Sequence, residues 1–484
     1  MKFSSIRYAA PLSTSLISIF LIAGATNAAE VEQPYGANPT LPEPQRGLLP
    51  SMTVPEPAPW GDQKPTVPDG YSITAIATDL KVPRQTLVLP NGDILVAEGK
   101  GGGKAPKPRP KDYIAGIIMA KGTTSVESGD RLTLLRDSDG DGTYEDQTVF
   151  AENLNAPYGL ALIDNDLFVA NQDALVRFDY EEGQTQASGP PEVVTQLPSE
   201  INHHWTKALT ASADGQFLYV GIGSNSNITE RGMAAEVDRA EIWQIDAETG
   251  AHKPYATGLR NPTALTIQPD TDQLWTVVNE RDELGPNLVP DYLTSVQEGG
   301  FYGWPYSYWG QNVDSRVRPQ KPEKVESAIS PDYSLGSHRA PLGVDFSMPT
   351  VGDEFAEGVF IGEHGSWNRA NPVGYKVVFV PFSNGQPDGD PVDFVSGFLT
   401  EDSKTRGRPV GVTVAPDGAV IIADDLSNIV WRVTRDGANS PQEAPATSES
   451  GSASADNEPA TSEDGSTTTE DEPAAAEDEP GTSS

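Results

Sequence analysis

Residues 408–425 read RPVGVTVAPDGAVIIADD. Pro409 opens a run of alternating apolar residues, Asp417-Gly418 supplies a tight turn, and a second apolar run ends at Asp424 and Asp425. Period-two alternation on both sides of an Asp-Gly turn is a β-hairpin signature. The same plan returns in VPRQTLVLPNGDILVAE from Val82, APYGLALIDNDLFVAN from Ala156 and HHWTKALTASADGQFLYVGIG from His203. It returns again in NPTALTIQPDTDQLWTVVNE from Asn261 and APLGVDFSMPTVGDEFAEGVFIGEH from Ala340. The six units start 47 to 79 residues apart, which leaves room for two more strands in each. That spacing suits four-stranded blades. The expected fold is all-β: a six-bladed β-propeller with four-stranded antiparallel blades.

In a propeller the first strand of each blade lines the central channel, and its entry residue stands at one mouth. The loop leaving the second strand returns to that face. This rule places His203 and His204, two of only five histidines, at a mouth shared with Arg260, His338, Arg339, Arg406 and Arg408. His204 takes the position that proline fills in the other five units. Should strand geometry begin at this pair, the two rings point to opposite faces and divide their labour.

The chain of 484 residues carries a formal charge of −37. The segment from Asp436 holds 13 acidic residues and no basic one, and residues 1–29 hold two basic ones, which leaves −26 on residues 30–435. Such a surface repels nucleic acid and anionic membranes, and both are discarded as partners. Four arginines at one rim of so acidic a body form a local anion trap, and guanidinium pairs bidentately with carboxylates. The alternative is ordinary ion pairs with Glu98, Asp424 or Asp425. In NERDELGPNLVPDYL, residues 279–293, the carbonyls of Gly285 and Pro286 stand near Glu280, Asp282 and Glu283, a set of oxygens of the kind calcium takes. DSDGDGTYED, residues 137–146, matches the start of a calcium loop at Asp137, Asp139 and Asp141, but Thr148 stands where the closing glutamate belongs. It reads as a hairpin turn with at most a weak second calcium.

Residues 1–29 have a basic start, a short apolar core and small residues up to Ala28 or Ala29, as in a secretory signal peptide, so the protein is expected to be exported, periplasmic or secreted. No later stretch is long enough to span a bilayer. Without cysteine there are no disulfides, thiolate metal sites or C-x-x-C-H haem attachment. Residues 30–69 read as an extended proline-rich leader, 70–435 as the propeller, and 436–484 as an acidic, disordered tail. A basic insertion at residues 100–122 reads as a lid or a subunit contact. Trp304, Tyr308 and Trp309 read as a sugar-stacking platform or as loop packing.

HHWTKAL (203–209), TGLRNPTAL (257–265), NERDELGPN (279–287), EGGFYGWPYSYWGQ (298–311), GEHGSWNRANPVGYK (362–376) and KTRGRPVGV (404–412) together resemble the PQQ-dependent sugar dehydrogenases of the soluble glucose/sorbosone type. Those are six-bladed propellers carrying pyrroloquinoline quinone (PQQ) and calcium, and the resemblance covers roughly residues 70–435. It implies that His204 is the base taking the sugar hydroxyl proton and that Arg260 polarises the quinone oxygen. Asn261 would contact the cofactor, Gly285 and Pro286 would hold Ca2+, and Arg406 and Arg408 would pair with the cofactor carboxylates. His203, His338, Asn368 and Arg369 would sit at its edge. His203 replaces an aspartate of the glucose-oxidising members, His338 a hydroxyl residue and Asn368 a lysine. These departures resemble the sorbosone- and pyranose-oxidising branches. The sequence shows no haem domain, so the expected partners are a sugar and an external acceptor such as a quinone, cytochrome or dye. A calcium-dependent hydrolase or lactonase propeller, or a non-catalytic binding propeller, are the competing classes. Ending the chain after Ser440 should leave the melting temperature within about 1 °C, because a tail without apolar residues to bury adds no packed contacts.

Overall fold

Each hairpin read from the sequence forms the inner pair of an antiparallel sheet. In the computed structural model, which describes residues 35–45, 52–102 and 109–437, blade one comprises Pro83–Val88, Ile94–Glu98, Arg131–Arg136 and Asp146–Ala151. Blade two comprises Gly159–Ile163, Asp166–Ala170, Ala174–Asp179 and Glu192–Gln196. Blade three runs through Lys207–Ala211, Phe217–Ile222, Glu241–Asp246 and His252–Thr257. Blade four is built of Pro262–Ile267, Leu274–Val278, Pro290–Ser295 and Tyr333–Ser337. Blade five uses Pro341–Phe346, Gly358–Glu363, Lys376–Ser383 and Val392–Val395, with the short Gln386–Pro387 pairing beside them. The last blade is Pro409–Val414, Val420–Asp424 and Ile429–Arg435, completed by Tyr71–Ala77 from the other end of the sequence. Tyr71 pairs with Arg435 and Ala75 with Trp431. The fold class expected from the sequence is present; the closing strand was not anticipated.

The six inner strands touch one another in ring order. There is no single core. Each pair of neighbouring blades encloses its own cluster, such as Trp275, Val277, Leu293, Val344, Ile361 and Val378 between blades four and five. The second strand of most blades is buried from end to end, so it reads as an apolar run rather than an alternation. The described part of the proline-rich leader is extended and docked. Trp60 packs edge-on against Phe398 and Trp431, and Gly36 exchanges two backbone hydrogen bonds with Ser334. The segments expected as signal peptide (1–29) and acidic tail lie outside the described residues, apart from Asp436 and Gly437.

Trp275, fully buried and edge-on to Phe346 and Phe382, tests this packing. Trp275→Ala should lose about 3–5 kcal/mol by denaturant unfolding, against at most about 0.5 kcal/mol for Val392→Ala at an exposed outer strand.

Candidate active site at the channel mouth

The entry segment of every blade is tied to the loop leaving that blade's second strand. Gly99 N–H donates to the Val82 carbonyl, Gln172 to Asn155, His204 to Ser224, Asn279 to Asn261, His364 to Ala340 and Asp425 to Arg408. These six ties assemble one rim that includes the entry residues His204, Asn261 and Arg408; Asp137, Asp139 and Asp141 lie elsewhere, and the described contacts of Arg406 are with Trp60 and Phe398.

His203 and His204 stand in the loop before their strand, not in it. Pairing begins only at Lys207, so alternation between strand faces does not separate the two rings. They meet edge-on, 4.7 Å apart. His204 Nδ1 lies 2.8 Å from the Ser224 carbonyl oxygen and 3.0 Å from Ser224 Oγ. A carbonyl can only accept, and Ser224 Oγ donates its proton to the Ser226 carbonyl at 2.6 Å. The imidazole proton therefore sits on Nδ1, and Nε2 keeps a lone pair with no hydrogen bond to the described residues. Burial, then Arg260, His203 and Arg239, hold the His204 pKa well below the usual imidazole range, so the ring is neutral. His203 is exposed on the channel, yet hydration lost to the surrounding protein, ahead of Arg231 and Arg260, lowers its pKa to about 4. A side chain at Gly223 would collide with Asn261 Oδ1 and His204 Cβ, so glycine is what lets blades three and four close here.

Arg260, 4% exposed, is held through Asn227. Its Nη2 donates to Asn227 Oδ1 at 3.0 Å, its Nη1 to the Asn279 carbonyl at 3.0 Å, and Asp282 lies 3.5 Å away. Trp304 Nε1 donates to the Asn227 carbonyl at 3.0 Å, and Tyr308 packs with Leu284, Leu288 and Val289. Both are buried, so loop packing is what the structure shows for them. Nearby, His338 Nε2 donates to the Gly285 carbonyl at 3.1 Å. Asn368 Nδ2 donates to His338 Nδ1 at 3.0 Å and to Asp282 at 2.5 Å, and Arg369 donates to the Pro286 carbonyl at 2.9 Å. The sequence-assigned edge residues thus meet the Gly285-Pro286 turn. Its flanking acids already have partners: Glu280 has Arg281 at 3.0 Å and Glu283 has Arg109 at 3.1 Å.

The rim arginines divide. Arg339 pairs with buried Glu363 at 3.7 Å and lies over Tyr35, which is the ordinary ion-pair role. Arg408 is 8% exposed and has no carboxylate partner among the described residues. Its guanidinium lies over Tyr375, with Nη2 3.5 Å from the tyrosine oxygen and Nε buried without a hydrogen bond. Arg406 stacks on Trp60, also without a described carboxylate partner. None of Glu98, Asp424 and Asp425 pairs with these arginines. Glu98 serves Arg131, Asp424 accepts the Arg408 N–H at 2.8 Å, and Asp425 serves Arg84 at 2.6 Å and His364 at 3.0 Å. Burial pushes the Asp425 carboxyl up, but His364 and Arg84 outweigh it and hold the group ionised. Ser224, Asn227, Arg84 and His364 were missed from the sequence. The exit-loop half of the mouth rule pointed at Ser224 and His364, and no residue pattern pointed at the others.

Asp137, Asp139 and Asp141 lie away from the mouth. With Glu145 they bring carboxylate oxygens within 4.8 Å of one another, while Asp137 and Asp141 also accept backbone N–H groups of the turn.

The mouth fits an anionic, planar, carboxylate-bearing group such as PQQ. Arg408 is a buried cation with no carboxylate in ion-pair contact among the described residues, although Asp425 lies near enough to feel its charge. Asn261 Oδ1 and Asn368 Oδ1 are buried acceptors, without hydrogen bonds among the described residues, that a donor of the bound group would satisfy. The Gly285 and Pro286 oxygens suit calcium in kind, but each already accepts one bond and offers a cation only its second lone pair.

A TrAA12-like family model matches residues 65–305 and 312–436. A pyrroloquinoline quinone-dependent pyranose dehydrogenase of Coprinopsis cinerea is 22% identical over 411 residues, covering 68% of this chain and 56% of that protein, so the match spans little more than half its length. An uncharacterized protein of Borreliella burgdorferi is 29% identical over 295 residues, 58% of this chain and 76% of that one. Among solved structures, the holo PQQ domain of the Coprinopsis cinerea pyranose dehydrogenase has a TM-score of 0.61 at 19% identity, covering 79% of this chain and 98% of that one. The calcium structure of the Trichoderma reesei family AA12 enzyme has a TM-score of 0.61 at 19% identity, covering 80% and 99%. With the family match running through all six blades, and PQQ-dependent sugar dehydrogenases among its relatives as the motifs implied, the chain belongs to the TrAA12-like family.

Proposed function

We propose that this protein is a quinoprotein oxidoreductase that oxidises a sugar or sugar aldehyde with PQQ at the channel mouth, the electrons leaving to an external acceptor. The observation that carries the reading is that one rim holds both His204, neutral with Nε2 open, and the buried guanidinium of Arg408, which has no carboxylate in ion-pair contact among the described residues. A hydrolase or lactonase propeller would have little use for several arginines at the mouth. An exported, periplasmic or secreted location belongs to the same reading and rests on residues 1–29. No helix among the described residues is long and apolar enough to cross a membrane.

Bound PQQ supplies an electrophilic two-electron acceptor. Arg408, Arg406 and Arg369 would hold its carboxylates, with Asn261, Asn368, His203 and His338 beside it. His204 Nε2 accepts the hydroxyl proton as the C–H hydrogen leaves with its electron pair, so C–OH becomes C=O. Arg260, fixed by Asn227 and Asn279, presents a preorganised positive charge to the oxygen that gains electron density. The Ser224 carbonyl keeps the imidazole in the accepting tautomer throughout.

Titrating PQQ into cofactor-free protein, followed by absorbance and by dye-linked oxidation of a sugar panel, tests the assignment; sugar oxidation by protein free of quinone would overturn it. His204→Gln should retain PQQ while turnover falls by roughly 10²-fold or more, the scale of general-base catalysis. His203→Gln should mainly alter cofactor affinity or sugar preference.

Calcium on the second lone pairs of Gly285 and Pro286 belongs to the same proposal. The Arg369 guanidinium on Pro286 opposes a second cation until an anion is present. Calcium should therefore bind weakly to cofactor-free protein and tightly with PQQ, and by reciprocity calcium should tighten PQQ by the same factor. Equal calcium affinity by calorimetry with and without PQQ would contradict this.

A further inference from the structure

The loop carrying His203 and His204 has no strand partner, since pairing starts at Lys207. Two buried basic side chains hold it instead, and burial, then Arg239, push the Lys207 amine well below the usual lysine range. Arg239, 5% exposed, enters from the segment before Glu241–Asp246. It donates through Nη1 to the Pro198 carbonyl at 2.6 Å and to Asn202 Oδ1 at 3.3 Å, and through Nη2 to the His204 carbonyl at 2.9 Å. Lys207, fully buried, donates through Nζ to Asn202 Oδ1 at 3.0 Å and to the Trp205 carbonyl at 2.9 Å. Neither has a carboxylate within ion-pair distance among the described residues. The nearby acid Glu236 is engaged elsewhere, by Asn225 N–H at 2.7 Å and by the Ser226 hydroxyl.

Burying a cation without a counter-ion costs several kcal/mol, and carbonyls can be satisfied by neutral donors at far lower desolvation cost. In a chain with 70 acidic residues, the guanidinium of Arg239 is nonetheless left without a carboxylate in ion-pair contact among the described residues, and its hydrogen bonds all go to this loop. We propose that Arg239 is the positioning residue of His204: its guanidinium fork fixes the peptide of the histidine and the Asn202 turn before it, and so aims Nε2 into the mouth, with Lys207 as the second clamp. The proposal rests on the reading of His204 as the proton acceptor.

The charged and titratable groups facing the imidazole are Arg260, His203 and Arg239, and each disfavours the imidazolium form. Arg239 thus acts twice, on where the ring stands and on its charge. Asn202 lies in the left-handed region, at φ 50°, and both clamps converge on its Oδ1. Loss of the fork releases a strained turn two residues from the reacting nitrogen.

The test uses Arg239→Gln, which removes charge and fork, and Arg239→Lys, which keeps the charge. In cofactor-free protein, imidazole NMR titration (His204→Gln identifies the resonance) should show the His204 midpoint rising in R239Q and staying low in R239K. In PQQ-loaded protein, both variants should lose about tenfold or more in kcat, the scale of a misplaced base, with KM and PQQ affinity within about threefold. A merely structural role would lower melting temperature without moving the titration. A folded R239Q with unchanged titration and unchanged kcat overturns the proposal. If R239Q does not fold, R239K decides: kcat equal to wild type overturns it, and lowered kcat at an unmoved titration supports it. Should wild-type protein loaded with PQQ oxidise no sugar, the dehydrogenase reading fails while the cofactor-free titration still decides the role of Arg239.

Discussion

Closure of the ring is the constraint on which the rest of the structure depends. A blade has two apolar faces and can cover them only with its neighbours, so six blades make six pairwise clusters and none can be left open. The last cluster closes only because Tyr71–Ala77 completes the blade begun at Pro409. With the ring closed, the inner strands all start at one rim, and six backbone ties join each start to the exit loop beside it. Side chains that would be mobile on isolated loops are thereby held in fixed relation, which a proton acceptor and an anion cradle both need. Three entry residues, Val82, Ala156 and Ala340, take left-handed conformations directly before proline. Their N–H groups are held by Asn428, Asp130 and Asp291. The equivalent Asn261 and Arg408 are not in that region, and these are the entries that carry candidate cofactor contacts.

Charge at the rim is sorted by how completely each cation is compensated. Arg84 meets Asp425 at 2.6 Å and is neutralised; Arg339 meets Glu363 and is nearly so. Arg260 is shared among carbonyls, an amide oxygen and a distant carboxylate. Arg408 has only an aromatic face and a phenol oxygen. In a strongly acidic chain, withholding carboxylates from one buried arginine is a positive feature of the design. Under the proposed function, a bound anion would recover the desolvation cost.

The parts of this architecture written in local periodicity were legible. Hairpins, their number and the rim positions of His204, Arg260, His338 and Arg408 follow from alternation and turn residues within single units. What escaped depends on pairings between distant segments. The closing strand Tyr71–Ala77 has no hairpin partner nearby in sequence. The start of blade three was placed at the histidines because they align with the prolines, whereas the two clamps on Asn202 delay pairing until Lys207. Asn227 is one asparagine in a polar loop, and only the fold shows Arg260, Trp304 and Asp282 converging on it. Trp304 and Tyr308 look like a sugar platform in sequence because aromatic clusters serve packing and stacking equally well; burial separates the two.

His204 differs from the other histidines of the mouth in what stands behind it. His364 has Asp425 at 3.0 Å, and His338, which also donates to the Gly285 carbonyl, has Asp282 at 3.6 Å, whereas His204 has a carbonyl and no carboxylate partner among the described residues. A carboxylate would favour the charged form, although at His364 burial still outweighs Asp425. The Ser224 carbonyl fixes the tautomer without adding a charge, and Arg260, His203 and Arg239 press further toward the neutral form. Such a ring is always available and weakly basic. The mouth thus sets a neutral imidazole beside a group of arginines, the arrangement that the proposed oxidation calls for.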